Sequence, residues 1–555
     1  MNVIKVICEN DGSELQVKMG TTLMEVLGML SLNNPQPFLA AYVNNRLKEL
    51  DYQIYKPISV RYIDITHYEG IKVYHRTLFF TLDKAVSDLY PGRRFRIRNS
   101  VSKGFYCEIE GHDDLSQKEV DAIRERMREL VAQDIPIVRS KVLSAEDEQL
   151  YARRRFEDKI TLLKTRPRLY VTIYTLADMV GYFYGALAPS TGYIHLFDVK
   201  RYYNGLYLAV PKRFKPDELE RMVPQDKMFD IFKEYKQWGE VMEVSNIGSL
   251  NAKILSGDSS DLIKVAEAFH EKKLANIADA IYDANVGRGA RLVLVSGPSS
   301  SGKTTFAKRL GIQLRILGLK PVMISLDDYF VDREHTPKDE HGEYDYEALE
   351  AIDVATFNDH LQRLMAGESV DIPRYDFITG KRQWHESPLH LDERSVLVIE
   401  GIHGLNPNLT PGLDENIKFK IYISALTSIS MDDLTRIATT DNRLLRRITR
   451  DYNTRGSNAT DTLRRWESVR RGEDKHIFPY QENADAMFNS SLFYEISVLR
   501  PFVEPMLREV PDTVPEYGEA QRLLKFLDKF VPVKPDEIPP TSLLREFIGG
   551  SSFRY

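Results

Sequence analysis

A short stretch in the second half of the chain restricts what this sequence can fold into. Residues 297–304 read GPSSSGKT and fit the spacing G-x-x-x-x-G-K-[ST]. The apolar run 292–295 precedes the stretch, and an amphipathic pattern that includes Phe306 and Leu310 follows it. A strand, a glycine-bent turn and a helix in this order predict a loop whose backbone N–H groups point inward around phosphate. The start of the helix adds the positive end of its dipole.

The loop predicts a bound nucleoside triphosphate, ATP, together with Mg²⁺. Lys303 is long enough to reach the β- and γ-phosphates, and the Thr304 hydroxyl suits a Mg²⁺ ligand. The predicted nucleotide contacts are Gly297, Ser299, Ser300, Ser301, Gly302, Lys303, Thr304 and Thr305. Because motors, GTPases and small-molecule kinases share such a loop, the residues downstream have to identify the reaction.

Four short runs rich in β-branched residues predict the sheet around this loop. They cover residues 292–295, 322–325, 396–399 and 419–423. Nearly continuous apolar character indicates strands that are buried on both faces, which is typical of a parallel sheet. Residues 289–490 are therefore predicted to form an α/β domain with a doubly wound parallel sheet.

Carboxylates follow two of these runs. Asp327 and Asp328 come after the second run, and Glu400 ends the third. The carboxyl ends of the strands face the ligand crevice in such a sheet, so Asp327 is placed to accept a proton from an acceptor hydroxyl. Glu400 is placed to hold Mg²⁺. The alternatives are a pair of solvated acids for Asp327 and Asp328, and a helix cap for Glu400.

Arginines recur at helical spacing further along the chain. Arg443, Arg446, Arg447 and Arg450 share one face, and Arg455 follows them. Such a face can close over phosphates as a mobile lid and offset charge during phosphoryl transfer. A solvated helix face and a basic RNA-binding patch remain open as alternatives.

Together these stretches resemble the uridine/cytidine kinase and phosphoribulokinase family. The matching residues are 297–304, 325–330 (SLDDYF), 372–377 (IPRYDF), 399–402 (IEGI), 446–451 (RRITRD) and 455–456 (RG). The resemblance implies that Asp327 is the catalytic base and that Thr304 and Glu400 bind Mg²⁺. Lys303, Arg447 and Arg450 complete the implied catalytic set. The implied acceptor contacts are Asp327, Tyr329, Tyr346, Glu347, Tyr375 and Arg455.

Two departures from the family pattern concern the acceptor. After Tyr375, family members that act on nucleosides usually carry a histidine, whereas residues 378–382 read ITGKR. Ser457 also stands where a second arginine is usual. We therefore expect phosphate chemistry to be retained and base recognition to differ. Core packing is the alternative role for the tyrosines.

The first half of the chain resembles parts of aminoacyl-tRNA synthetases. Residues 1–66 have the strand–hairpin–strand–helix–strand order of a β-grasp unit and resemble the TGS domain of threonyl-tRNA synthetases. Residues 70–215 resemble the α+β editing domain of these enzymes. The family's helical histidine positions hold Arg76 and Phe80 here, His75 has no partner at helical spacing, and no cysteine–histidine pair follows. Hydrolysis of mischarged tRNA is therefore not expected, whereas RNA contact, regulation and assembly stay open.

Length and composition bound the remaining organisation. The chain has 555 residues and a formal net charge of −6, which predicts several domains and no global attraction to nucleic acid. Residues 216–288 are predicted to be a helical connector, and residues 491–555 a helical and proline-rich tail. Two cysteines, no signal-peptide pattern and no long apolar run favour a cytoplasmic protein without a membrane partner. Homo-oligomerisation stays open.

The primary hypothesis is an ATP-dependent kinase that phosphorylates a nucleoside 5′-hydroxyl. A kinase of another small alcohol, such as a sugar phosphate, would use the same phosphate-binding residues. A protein that binds tRNA or the ribosome and uses ATP as a switch would explain the first half of the chain.

Overall fold

The computed structural model describes residues 3–112, 114–144, 157–340, 342–377, 379–384 and 388–555. The sequence also predicts a helix near residues 144–156, and all of these residues except residue 144 lie outside these ranges. No helix in the described ranges combines the length and the apolar character that a membrane span requires.

The first unit is the predicted β-grasp. Its elements are β1 (Val3–Cys8), β2 (Glu14–Lys18), α1 (Leu23–Met29), β3 (Ala40–Val43), β4 (Arg46–Lys48) and β5 (Ile58–Ile63). The sheet order is β2-β1-β5-β3-β4, with β1 and β5 parallel at its centre. The sequence offers Thr21 or Thr22 as the cap of α1, and the structure has Thr22 in a capping box with Glu25.

The second unit surrounds a long buried helix with two antiparallel sheets, ordered β10-β9-β8 and β11-β12-β7-β6, and a short hairpin of β13 and β14. Its elements are α2 (Tyr68–Leu89), β6 (Phe95–Val101), β7 (Gly104–Ile109), α3 (Gln117–Ala132), β8 (Ile137–Leu143), α4 (Glu157–Thr165), β9 (Tyr170–Leu176), β10 (Met179–Gly181), β11 (Asp198–Tyr202), β12 (Gly205–Ala209), β13 (Pro211–Lys212) and β14 (Lys215–Leu219).

Three helices lead to the predicted parallel sheet. They are α5 (Asp226–Val241), α6 (Ile247–Leu255) and α7 (Ser259–Arg288). Gly289 ends α7 in the left-handed conformation, with φ 74°, while Gly287 lies inside the helix. The sequence favours both glycines as the end of this helix, but only Gly289 caps it.

The third unit is the predicted doubly wound sheet. Its elements are β15 (Leu292–Ser296), α8 (Lys303–Ile316), β16 (Lys320–Ser325), α9 (Val354–Met365), β17 (Pro373–Asp376), β18 (Lys381–Trp384), β19 (Ser395–Glu400), β20 (Lys418–Ser424), α10 (Thr439–Arg455), α11 (Ala459–His476) and β21 (Ala486–Asn489). All pairs in the five-stranded order β16-β19-β15-β20-β21 are parallel. The carboxyl ends of the strands therefore meet at one edge, where the site forms.

The segment predicted as a tail packs back onto this domain. It contains α12 (Glu495–Arg508), α13 (Tyr517–Leu527) and α14 (Arg545–Ile548). Leu507, Phe530 and Phe547 are buried in the same hydrophobic cluster as Leu444 and Ile448 of α10. The end of the chain is thus part of the folded body around α10.

Candidate functional site

The glycine-bent loop lies between β15 and α8, as the sequence predicts. A Cβ on Gly297 would stand 2.0 Å from the Ile423 carbonyl oxygen, so only glycine fits against β20. Ser300 and Gly302 have φ values of 57° and 85°, and Gly302 is the N-cap of α8. These left-handed residues curl the chain so that the loop leads directly into the helix N-terminus.

Lys303 lies inside the loop with its ammonium group on the loop's own backbone. Its Nζ donates to the Pro298 carbonyl oxygen at 3.2 Å. Burial lowers the pKa of Lys303, while the nearby carboxylates of Glu400, Asp327 and Glu546 oppose this shift. The loop therefore holds a desolvated cation ready for an anionic ligand.

Glu400 and Thr304 meet at the tip of β19. The Thr304 hydroxyl donates to Glu400 Oε1 at 3.2 Å, and the Ser325 hydroxyl donates to the same oxygen at 3.0 Å. Burial, followed by the charge of Asp327, raises the pKa of Glu400 to about 7. A desolvated carboxylate beside a threonine hydroxyl is a donor set that fits Mg²⁺.

Asp327 lies in a short 3-10 helix, Leu326–Tyr329, directly after β16. The Ser325 hydroxyl accepts a hydrogen bond from the Asp327 backbone N–H at 3.3 Å and thereby fixes the start of this turn. The charge of the Asp327 carboxylate favours higher pKa values for Lys303, Glu400 and Glu347, so Asp327 lies close to all three. The structure thus brings the predicted base together with the loop lysine and the predicted metal ligands.

Glu347 lies close to Asp327 and Arg447 of the site. Burial raises the pKa of Glu347 to about 7; Asp327 and Glu473 add to the rise and Arg447 opposes it. Tyr346 is 37% exposed and its ring lies 6.3 Å from that of Phe330. Tyr346 is thus exposed, whereas the neighbouring Glu347 is largely buried.

Tyr329 and Tyr375 occupy different surroundings from Tyr346. Tyr329 is only 1% exposed, and its hydroxyl lies 3.0 Å from His360 Nδ1. Tyr375 is buried in the same cluster and packs against Phe330. The Tyr329 hydroxyl therefore has a buried hydrogen-bond partner, and its ring packs within this cluster.

Helix α10 crosses the loop with its arginines. Arg447 Nη1 donates to the Ser299 hydroxyl at 2.9 Å, and Arg443 Nε donates to the Ser299 carbonyl oxygen at 2.8 Å. Arg450 pairs with Asp451 at 2.7 Å. Arg455 lies 5.2 Å above the Phe377 ring, and its pKa is lowered to about 10, first by the charge of Arg450 and then by burial.

Two buried ion pairs fasten this helix. Arg443 pairs with Glu473 of α11, and Arg446 pairs with Glu495 of α12. Glu473 also accepts the Ser299 backbone N–H at 3.0 Å. Arg443 and Arg446 belong to the arginine face seen in the sequence, but their fixed partners were missed, because Glu473 and Glu495 stand 30 and 49 residues away.

In the editing-like unit, aromatic side chains fill the place next to α2. The Phe80 ring lies 5.2 Å from that of Phe183 and would be 2.7 Å from a Cβ on Gly181. Arg76 Nε donates to the Ala186 carbonyl oxygen at 2.8 Å. His75 packs against Phe105, and burial lowers its pKa to about 3. These side chains have packing roles.

A cavity of about 800 Å³ lies between this unit and the third one. Its walls include Arg94 and Arg96 of β6, and Asp432 and Arg436 from the connection between β20 and α10. None of the residues predicted for nucleotide, metal or acceptor binding lines it.

Comparison with known proteins finds similarities in both halves of the chain. Residues 292–496 match the model described as the Phosphoribulokinase / Uridine kinase family. This part of the chain is therefore similar to the P-loop kinases of that family. The site described above lies within these residues, with the exception of Glu546.

The N-terminal region matches threonine–tRNA ligases. The chain is 29% identical over 190 residues to the ligase of Rubrobacter xylanophilus. This match covers 34% of this chain and 29% of the relative. It is 25% identical over 244 residues to the ligase of Porphyromonas gingivalis strain W83. That match covers 43% of this chain and 37% of the relative. The chain thus spans only about a third of these relatives.

A solved structure described as a "Possible Uridine Kinase" from Bacillus stearothermophilus is also similar. It is 19% identical, covers 39% of this chain and 98% of that chain, and has a TM-score of 0.28. Values this low do not bear on the acceptor.

Proposed function

We propose that this protein transfers the γ-phosphate of ATP to the 5′-hydroxyl of a nucleoside. The observation that carries the proposal is the convergence of Lys303, the Thr304–Glu400 pair and Asp327 at one edge of the parallel sheet. A phosphate-binding cation, a metal-binding pair and a carboxylate base are the parts that phosphoryl transfer to an alcohol requires.

Thr304 and Glu400 are the residues that would hold Mg²⁺. Glu400 is buried, its pKa is raised, and its hydrogen-bond donors are neutral hydroxyls. A carboxylate in this state gains from a divalent cation, because the cation offsets the cost of burying its charge. When bound, Mg²⁺ neutralises charge on the β- and γ-phosphate oxygens.

Asp327 is proposed to accept the proton of the acceptor hydroxyl. It follows β16 at the sheet edge, and its charge is felt by the phosphate lysine and by Glu347. A base in this position orients the hydroxyl oxygen towards the γ-phosphorus as the proton leaves. Glu347 and Tyr346 would hold the ribose and base on the opposite side.

Arg447 and Arg450 are proposed to offset charge on the transferred group. Arg447 already contacts the loop through the Ser299 hydroxyl, and Asp451 holds the guanidinium of Arg450. Guanidinium groups fixed before the reaction stabilise developing charge without a reorganisation cost at the moment of transfer.

The first test removes the loop cation. Lys303→Ala should reduce kcat/KM by at least about a thousandfold, while the folded state persists. Lys272→Ala, on an exposed part of α7, is the matched control and should keep full turnover. Near wild-type turnover by the Lys303 variant would refute this site.

The acceptor class is tested separately with labelled ATP. Purified protein is incubated with pyrimidine nucleosides, purine nucleosides and sugar phosphates, and the phosphorylated product is identified. A nucleoside 5′-monophosphate supports the proposal. Turnover of sugar phosphates alone would keep the phosphate chemistry and replace the acceptor.

Contact with RNA through the N-terminal region is a second proposal, supported by the similarity to threonine–tRNA ligases. It predicts binding of tRNA that weakens as salt rises. Equal binding at low and high salt, or none, would contradict it.

A further inference from the structure

The C-terminal segment 543–555 lies against the N-terminal end of α8. Glu546 Oε2 accepts the Thr305 backbone N–H at 3.3 Å and the Thr305 hydroxyl at 2.5 Å. The hydroxyl of Tyr555 lies 2.9 Å from the same threonine oxygen. One residue of the predicted nucleotide site thus has both its donors engaged by the end of the chain.

The Thr305 N–H is one of the backbone donors that bind phosphate in a loop of this type. The first N–H groups of a helix have no partner within the helix, and in a P-loop they cradle the α- and β-phosphates. Thr305 is the third residue of α8. A carboxylate at this amide has the charge and the place of a phosphate oxygen.

The charge of Glu546 extends into the site. It opposes the fall in the pKa of Lys303 and adds to the rise in the pKa of Glu400. Glu546 is therefore close to both the phosphate lysine and the metal-binding carboxylate. An arriving triphosphate would meet a like charge at its own position.

Apolar neighbours anchor the segment between α8 and α10. Phe547 is buried, its ring lies 5.0 Å from Arg446 Cζ, and its carbonyl oxygen accepts from Asn453 Nδ2 at 3.1 Å. Leu543 is buried next to Gly302. Glu546 is half-buried and Tyr555 is 57% exposed. The polar contacts can therefore open while the anchor stays in place.

We propose that the C-terminal segment is an internal competitor of the nucleotide. Without nucleotide, the Glu546 carboxylate accepts hydrogen bonds from the Thr305 N–H and hydroxyl. These bonds break when ATP binds, so the segment lowers the affinity for ATP. This inference rests on the proposed function, because the competing ligand is ATP.

The test compares equilibrium binding of ATP with Mg²⁺ to four full-length proteins: wild type, Glu546→Gln, Glu537→Gln and Lys303→Ala. Glu537 is an exposed acid in the same part of the chain and is the matched control. Removing the competing charge should lower Kd for ATP about tenfold in the Glu546 variant, since less of the protein is held in the blocked state. The Glu537 variant should match the wild type.

The outcomes separate the inference from the proposed function. Wild type against Lys303→Ala tests the ATP site itself, whereas Glu546→Gln against wild type tests the competitor. Equal or weaker ATP binding by Glu546→Gln overturns the inference, even when the wild type binds ATP. A carboxylate that only caps α8 would, on removal, lower stability without raising affinity.

Amide hydrogen exchange gives a second readout on the wild type. Addition of ATP with Mg²⁺ should speed exchange in residues 545–555 several-fold and leave the Lys303 variant unchanged. Unchanged exchange in these residues with nucleotide bound would overturn the inference.

Discussion

The Thr304 hydroxyl and Glu400 Oε1, 3.2 Å apart, join the start of α8 to the tip of β19. Register explains the meeting, since Glu400 lies between Val295 and Ser325 on the neighbouring strands. We predict that Glu400→Gln lowers kcat by about a hundredfold or more and raises the Mg²⁺ concentration needed for half-maximal rate, because the metal loses an anionic ligand. Steady-state rates against Mg²⁺ measure both effects.

Glu393→Gln is the matched control for that change. Glu393 is exposed in the connection just before β19, so its charge is removed without touching the strand tip. Its rates and its Mg²⁺ dependence should equal those of the wild type. An unchanged Mg²⁺ dependence in Glu400→Gln would remove this residue from the metal site.

The buried pair Arg443–Glu473 gives a prediction about stability. Arg443→Ala leaves the buried Glu473 to the more distant Arg470, 3.6 Å away, and should lower the free energy of unfolding by about 3 kcal/mol. Arg464→Ala, on an exposed part of α11, should cost no more than about 1 kcal/mol. Urea denaturation compares the two. A loss in Arg443→Ala as small as in the control would contradict the burial argument.

Tyr329 and Asp327 are two residues apart but are predicted to act differently. Tyr329→Phe removes a hydroxyl paired with His360 and should cost about 1 kcal/mol of stability, with KM for the acceptor unchanged. Asp327→Asn should keep stability and lower kcat by about a hundredfold to ten-thousandfold. A clear rise in acceptor KM for Tyr329→Phe would restore the acceptor contact that its motif implies.

Periodicity and motif spacing predicted the architecture because their causes are local. The apolar run 292–295 can only be buried on both faces, and Gly297 and Gly302 sit where a side chain would clash or strain the chain. The β-grasp was recognisable from its order of strands, hairpin and helix, and the structure has the hairpin turn at Gly12 and the helix cap at Thr22. Signals of this kind need no knowledge of distant residues.

Long-range partners were beyond the sequence. Arg443 and Arg446 could be placed on one helix face, but the burial that pairs them with Glu473 and Glu495 depends on how α11 and α12 return to the loop. Glu546 lies 241 residues from Thr305, and no spacing rule connects them. The pairing of Tyr329 with His360 could not be predicted for the same reason, since His360 lies on α9.

The last prediction concerns the pH dependence of acceptor binding through Glu347. Burial raises its pKa from 4.5 to about 7, so between these values the folded protein holds a proton that the unfolded chain has lost. Stability owed to this group therefore falls as pH rises from about 4.5 to 7.

The ionised carboxylate is the stronger acceptor for ribose hydroxyls. KM for the nucleoside should accordingly fall as pH rises through 7 in the wild type and stay flat in Glu347→Gln. Glu350→Gln, an exposed neighbour, should follow the wild type. Parallel profiles for wild type and Glu347→Gln would show that Glu347 does not hold the acceptor.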